Sequence, residues 1–206
     1  MNQYLRKHWF NFVAAALIIT VIAGIGYWLW WGATRLPFVS RAPEFTLTNV
    51  EGKPVHFSEL NGKIRLVNFF YANCPDVCPL TTSYMANVQE NLKRKGIFGK
   101  DAVFVSISFD EKRDTPLVIE AYANAHGADR SGWMFLRGNN EATKEIADKF
   151  GVTVEANEES ALHKNKVLLV DRDNNIRRVY NVGLNNESKH IVAEITKDIA
   201  RLSSDE

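Results

Sequence analysis

Two cysteines in 206 residues stand four positions apart, in Cys74-Pro75-Asp76-Val77-Cys78-Pro79, directly after an apolar run. A chain that holds only two thiols and sets them together uses them for sulfur chemistry: disulfide exchange, metal binding, or both. A purely structural bridge is the competing reading. In the chain-entropy model a loop of about five residues contributes only roughly 2 kcal/mol, the low end for such bridges, so a staple would act more strongly across a longer loop. A short, turn-borne dithiol is expected to be redox-active, metal-binding or both.

The thiols need a scaffold that presents them. Ile64 to Tyr71 (IRLVNFFY) has the composition of a buried strand. Pro79 opens a helical pattern in which Leu80, Tyr84, Met85, Val88 and Leu92 recur until Gly96. The cysteines therefore occupy a strand-to-helix turn, where converging backbone N–H groups favour thiolate over thiol. Met85 is read as core packing, although a thioether can also bind copper.

The neighbouring elements follow from the same rules. Phe45 to Thr48 and Pro54 to Phe57 alternate about Asn49-Val50-Glu51-Gly52, a hairpin in which Gly52 takes positive φ. Ala102 to Phe109 is a second buried strand, and Thr115-Pro116 caps and opens a helix that stops near Gly127. The loop between them carries Asp110 and Asp114 and leaves the sheet at the cysteine edge. Asp114 is read as a helix cap and Asp110 as a group that could orient or bind something. Trp133 to Leu136 is a short strand, and Asn140 caps a helix ending at Gly151. Lys166 to Val170 and Ile176 to Tyr180 form a hairpin about Asp171-Arg172-Asp173-Asn174-Asn175, and Ser188 caps a last amphipathic helix. The order predicts an α/β fold, a thioredoxin-like mixed sheet flanked by helices.

That topology selects one of the five histidines. His8, His126 and His190 read as exposed, and His56 as a satisfied hairpin residue. If strand 166–170 runs antiparallel to strand 64–71, its beginning lies beside the cysteines, and His163 precedes that beginning. Two thiolates and an imidazole suit Cu(I) and can hold Cu(II). Zinc would want a fourth ligand, from Asp76 or Asp110. No proline follows Pro116, so the proline that faces the dithiol in thioredoxin-type exchange enzymes is missing.

The first forty residues have a different solvent. From His8 to Thr34 there is no Lys, Arg, Asp or Glu, and Phe10 to Trp31 is long enough to cross a bilayer as a helix, with Tyr27, Trp28, Trp30 and Trp31 at headgroup level. The run is too long for a signal-peptide core, and Gly32-Ala33-Thr34 is a poor cleavage site. The expected organisation is a cytoplasmic tail (1–9), a transmembrane helix (10–31), a linker (32–42) and a soluble domain (43–206). The short tail favours an N-in, C-out insertion in a bacterial cytoplasmic membrane, with the domain on the extracytoplasmic side. A net charge of +1 gives no sign of a nucleic-acid partner.

Three stretches together resemble the Sco1/SenC family: Asn68-Phe69-Phe70-Tyr71 leading into Cys74-Pro-Asp-Val-Cys78-Pro79; Ser106 to Asp110 with Arg113-Asp114-Thr115-Pro116; and His163 eight residues before Asp171. The resemblance implies a membrane-anchored, thioredoxin-like copper chaperone. It implies further that Cys74, Cys78 and His163 bind one copper ion, for the binuclear centre of cytochrome c oxidase subunit II or its copper-site assembly factors. Some members look more like thiol reductants of the recipient, so a tethered thiol–disulfide oxidoreductase using the Cys74/Cys78 pair is the alternative, and a redox or copper sensor a third. Around His163 the chain departs from many members, with Leu162, Lys164, Asn165 and Lys166 as neighbours and Leu168 where Tyr is common.

Overall fold

The computed structural model describes residues 3–34, 36–74, 77–152, 165–183 and 188–204. The chain divides into two units, Met1–Pro37 and Phe38–Glu206. The first is one helix, α1 (Gln3–Thr34). Its described side chains are almost all apolar and exposed, among them Ile18, Ile19, Ile22 and Ile25, with Thr20 bonding through its hydroxyl to Ala16 O at 2.9 Å. The side chains of residues 3–8, 11 and 28–34 lie outside the described set, and among the described residues no helix is long and apolar enough to cross a membrane.

The second unit is built on an eight-stranded mixed sheet. Its elements are β1 (Ser40–Arg41), β2 (Thr46–Asn49), β3 (Pro54–His56), β4 (Ile64–Phe70), α2 (Val77–Arg94), β5 (Ala102–Ser108), α3 (Pro116–Ala125), β6 (Trp133–Arg137), α4 (Asn140–Lys149), β7 (Asn165–Val170), β8 (Asn175–Val182) and α5 (Ser188–Ser204). The strand order is β1-β8-β7-β4-β5-β6-β2-β3. β4, β5 and β6 run parallel, while β7 returns antiparallel against β4, with Asn68 opposite Val167. A mixed sheet flanked by helices in this order is the thioredoxin-like arrangement expected from the sequence.

Every residue of β4 and β5 is buried, as strands covered on both faces must be. Side chains alternate between faces along a strand, so neighbours Phe69 and Phe70 point opposite ways. Phe69 meets Phe150 at the end of α4, ring centroids 5.8 Å apart, beside Phe45 and Phe57 of the β2–β3 hairpin. Phe70 stacks on Tyr122 of α3 at 5.1 Å. On that side α2 is bonded to α3 through Thr82 and Tyr122 and to α5 through Asn91 and Thr196.

Arg65 breaks the apolar pattern. It is fully buried in β4, its guanidinium 5.0 Å from the Phe57 ring centroid. Nη1 donates to Asn61 Oδ1 at 2.8 Å and Nη2 to the carbonyl of Asp171. Burial lowers its pKa to about 10 despite the nearby Asp171 and Glu44 carboxylates.

Three local expectations are revised. Residues 40–42 are not linker: β1 pairs with β8, and Ala42 is buried in the core. The reason is the turn before β8, where Asn174 takes φ 66° and its Nδ2 donates to Ala42 O (3.0 Å) and Glu44 Oε1 (2.8 Å). The cap of α4 is Asn139, whose side chain accepts from Ala142 N at 2.7 Å; Asn140 is the first helical residue and accepts instead from Glu111 N at 2.8 Å. Finally α2 begins at Val77, two residues before Pro79, so Cys78 lies in its first turn.

The Asn174 turn gives a stability prediction. Asn174→Ala loses both bonds and puts a Cβ-bearing residue without a compensating amide at positive φ, costing about 2–4 kcal/mol. Asn174→Gly keeps the backbone geometry and should cost about half as much. Urea unfolding of the two variants measures the difference.

Candidate functional site

β4 delivers the chain to the cysteines and α2 carries it away. After Phe70 the backbone turns, Cys74 N donating to Tyr71 O at 3.2 Å. In the first turn of α2, Cys78 N points back and donates to Cys74 Sγ at 3.4 Å. A helix start leaves such N–H groups without intrahelical partners, and a sulfur able to hold negative charge is a natural acceptor. The two thiols are unbridged, with relative exposures of 9% for Cys74 and 5% for Cys78. The Cys78 thiol is pushed well above its ordinary value, first by its hydrogen bond with Cys74 and then by burial. Cys74 Sγ accepts the Cys78 N–H, and the bond between the thiols together with burial favours the protonated form of Cys78.

The loop is held at both ends by one neighbouring segment. At its entry Ala72 N donates to the carboxylate of Asp114, 3.1 and 3.2 Å from the two oxygens. Asp114 is fully buried and also accepts from Ser108 Oγ. At its exit Thr82, four residues after Cys78 and so on the same helix face, shares a hydrogen bond of 2.7 Å with Tyr122 OH. Asp114 and Tyr122 both lie in the β5–α3 segment, so one piece of chain braces both sides of the dithiol. From the other flank Asn165, the first residue of β7, donates through Nδ2 to Thr81 Oγ1 at 3.0 Å.

The expectation that Asp114 caps α3 is corrected. Thr115 performs that task, its side chain accepting from Val118 N at 3.4 Å with Pro116 following, as read from the sequence. Asp110 is turned to its own loop, accepting from Arg113 N at 3.1 Å and pairing with the Arg113 guanidinium. Among the described residues no third His, Cys, Asp or Glu joins the two sulfurs. His163 and Asp76 lie outside the described residues. Met85 is fully buried core. His56 is exposed and is bonded to Thr46 Oγ1 at 2.7 Å. His126 caps the C-terminus of α3, and His190 is exposed.

Sequence reasoning missed Ser108, Tyr122, Thr82 and Asn165 as parts of the site. Asn165 alone left a signal, a polar amide opening an otherwise apolar strand. The others were indistinguishable from ordinary strand and helix residues until the packing brought them together.

Comparison with known proteins bears on this arrangement. The family model described as SCO1/SenC matches residues 37–200. The SCO1 protein homolog of Bacillus subtilis is 29% identical over 155 residues, 73% of this chain and 79% of that protein. The chain spans about half the length of several other curated relatives, the SCO2-like proteins of Rickettsia among them. Among solved structures, BsSco, a member of the Sco family of cytochrome c oxidase assembly proteins in which a disulfide switch was identified, superposes with a TM-score of 0.72. It is 27% identical, covering 84% of this chain and 98% of that one. Arabidopsis thaliana ScoI with copper bound superposes with a TM-score of 0.63 at 26% identity, over 79% and 99% of the two chains.

The buried carboxylate has a testable signature. Burial, acting against the bonds from Ser108 and Ala72, raises Asp114 above its ordinary 3.8, so the folded state holds its proton more tightly than the unfolded chain does. The stability this contributes is full below about 3.8 and is lost as pH rises through the folded-state value. Asp114→Asn cannot titrate, so the unfolding free energy of the parent relative to this variant should fall with rising pH across that window. Asp114→Ala, which also strands the Ala72 N–H, should cost about 1–3 kcal/mol at all pH values. Urea midpoints from pH 3.5 to 7 provide the comparison.

Proposed function

This chain belongs to the SCO1/SenC family, and from that membership we propose that it binds one copper ion through Cys74, Cys78 and His163 and serves in assembling cytochrome c oxidase. The observation that carries the proposal is the pair of unbridged, buried sulfurs at the β4–α2 junction, linked by an N–H···S bond of 3.4 Å. Two soft sulfur donors in a site largely closed to water suit Cu(I) better than harder cations. An imidazole as third donor completes a low-coordinate set, and β7, whose first residue bonds to the cysteine helix, supports His163 as its source. Copper is cargo here, with the binuclear centre of oxidase subunit II as its recipient.

Redox state gates loading in this reading. The reduced pair offers two thiolates once its protons leave, whereas a Cys74–Cys78 disulfide offers none, so oxidation and metal binding exclude each other. The same dithiol supports a second role, reduction of a partner's cysteines before they accept metal, and the disulfide switch described for BsSco favours keeping it in view.

We further propose that α1 anchors the chain in a bacterial cytoplasmic membrane, with the sheet domain on the extracytoplasmic side. The uncharged stretch from His8 to Thr34 and the helix over Gln3–Thr34 support it. Confining donor and acceptor to one membrane raises their effective concentration without new contacts.

Anaerobic titration of the reduced full-length chain with Cu(I) should give one tight equivalent. Cys74→Ser, Cys78→Ser and His163→Ala should each weaken it by roughly 100-fold or more. If His163→Ala binds copper like the parent and reduces a disulfide substrate at full rate, the oxidoreductase reading replaces this one. A phosphatase fused to the C-terminus should be active in bacterial cells; an inactive fusion reverses the topology.

A further inference from the structure

Joining Cys74 to Cys78 takes more than the loss of two protons. An S–S bond is about 2.05 Å long, well inside the contact distance of two thiols, so the chain at 72–74 and the first turn of α2 must close on each other before the bond can form. In the structure the sulfurs are unbridged, and Cys78 N lies 3.4 Å from Cys74 Sγ. Each side of that gap is pinned to the same neighbouring segment. The chain is pinned two residues before Cys74, where Ala72 N donates to both Asp114 oxygens, at 3.1 and 3.2 Å. The helix is pinned four residues after Cys78, where Thr82 Oγ1 and Tyr122 OH share a hydrogen bond of 2.7 Å. Both anchors are themselves held: Ser108 Oγ donates to Asp114, and Tyr122 stacks on Phe70 with ring centroids 5.1 Å apart. Between the anchors lies the start of α3, capped by Thr115 and opened by Pro116, about two helical turns of stiff backbone. Closure of the dithiol therefore strains the loop and the helix start against β5 and α3, which keep their place.

We propose that Asp114 and Tyr122 are positioning residues of the dithiol, and that α3, a strut between them, holds the two sulfurs at a separation that favours the reduced pair over the disulfide. The inference rests on Cys74 and Cys78 being the reactive pair of the function proposed above, and not on copper. The reaction that reads it contains no metal. Cys74 and Cys78 each lose a proton and together two electrons, and an S–S bond forms between them. The S–S bond of glutathione disulfide breaks and takes up both protons and both electrons, giving two molecules of glutathione. Anchors that only stabilised the fold would strengthen both redox forms alike and leave this equilibrium where it is. Anchors that resist closure act on the disulfide side alone.

The test is the position of that equilibrium in the full-length chain, measured by thiol trapping at pH 7 in glutathione buffers. Asp114→Ala removes the acceptor of Ala72 N and should shift it toward the disulfide by about 3- to 10-fold. Asp114→Asn keeps an acceptor oxygen and should stay within about twofold of the parent. Tyr122→Phe keeps the ring and removes only the bond to Thr82, and it should shift the equilibrium the same way by about 3-fold or more. Thr196→Val loosens the far part of α2, where Asn91 Nδ2 donates to Thr196 Oγ1 at 3.3 Å, and it should lower stability while leaving the equilibrium within about twofold. Circular dichroism and urea midpoints establish that each variant is folded, and Tyr122→Phe, the milder change, decides if Asp114→Ala is not. An unmoved equilibrium in folded Asp114→Ala or Tyr122→Phe, an Asp114→Asn shift as large as that of Asp114→Ala, or a Thr196→Val shift as large as that of Tyr122→Phe each overturns the proposal. A parent chain that binds no Cu(I) overturns the function proposed above and leaves this metal-free equilibrium to decide the role of the strut.

Discussion

The thiol site depends on one hydrogen bond, from the backbone N–H of Ala72 to the buried carboxylate of Asp114. The chain leaving β4 must turn away from the sheet before it reaches Cys74, and a turning peptide loses its ladder partner. Inside a water-poor site an unpaired N–H costs about 1–3 kcal/mol, so some acceptor has to be supplied. Asp114 supplies it from the adjacent parallel strand connection, and Ser108 at the end of β5 fixes the carboxylate in turn. The approach of the peptide to Cys74 is thereby tied to the loop that carries Asp110 and Arg113.

The parallel pairing of β4 with β5 makes that geometry available. Phe70 stands opposite Ser108 in the register, so both strands end at the same edge, and the two loops leave side by side. β7 enters at that edge from the opposite direction and adds Asn165. The cysteine helix is then held from α3 on one side and from β7 on the other, while its body packs against α5. Such bracing suits a dithiol that must alternate between sulfur–metal and sulfur–sulfur bonding, because the protein around it keeps one arrangement while the bond inside changes.

The buried polar residues of the sheet are held by hydrogen bonds that satisfy most, though not all, of their groups, the Arg65 Nε and Asn68 Nδ2 atoms being without a partner among the described residues. Arg65 is accepted in a central strand because Asn61 and the Asp171 carbonyl receive hydrogen bonds from Nη1 and Nη2 and the Phe57 ring covers its face. Trp133 Nε1 donates to Ser106 Oγ, which donates to Asn68 Oδ1 at 2.6 Å, a short relay across three strands. The Asp171–Asn175 turn bonds to itself, to Arg177 and to the 42–44 segment, converting a stretch that looks like connecting chain into a sheet edge.

Most elements could be read along the chain because their causes are local. Apolar runs made β4 and β5, Thr115-Pro116 opened α3, Gly96 and Gly151 closed helices in left-handed conformations, and two cysteines four apart announced sulfur chemistry. The antiparallel return of β7 beside β4 also followed, from element order alone. What stayed hidden were contacts between residues far apart in sequence: Asp114 with Ala72, Tyr122 with Thr82, Asn165 with Thr81, and Asn174 with Ala42. Asp114 had a plausible local task near the start of α3, although the neighbouring Thr115 already filled the cap position. Only the register of two parallel strands carries its carboxylate to a peptide 42 positions earlier. A local pattern reports which backbone conformation a residue favours, whereas the partner of a buried hydrogen bond is chosen by whatever the folded sheet brings within about 3 Å.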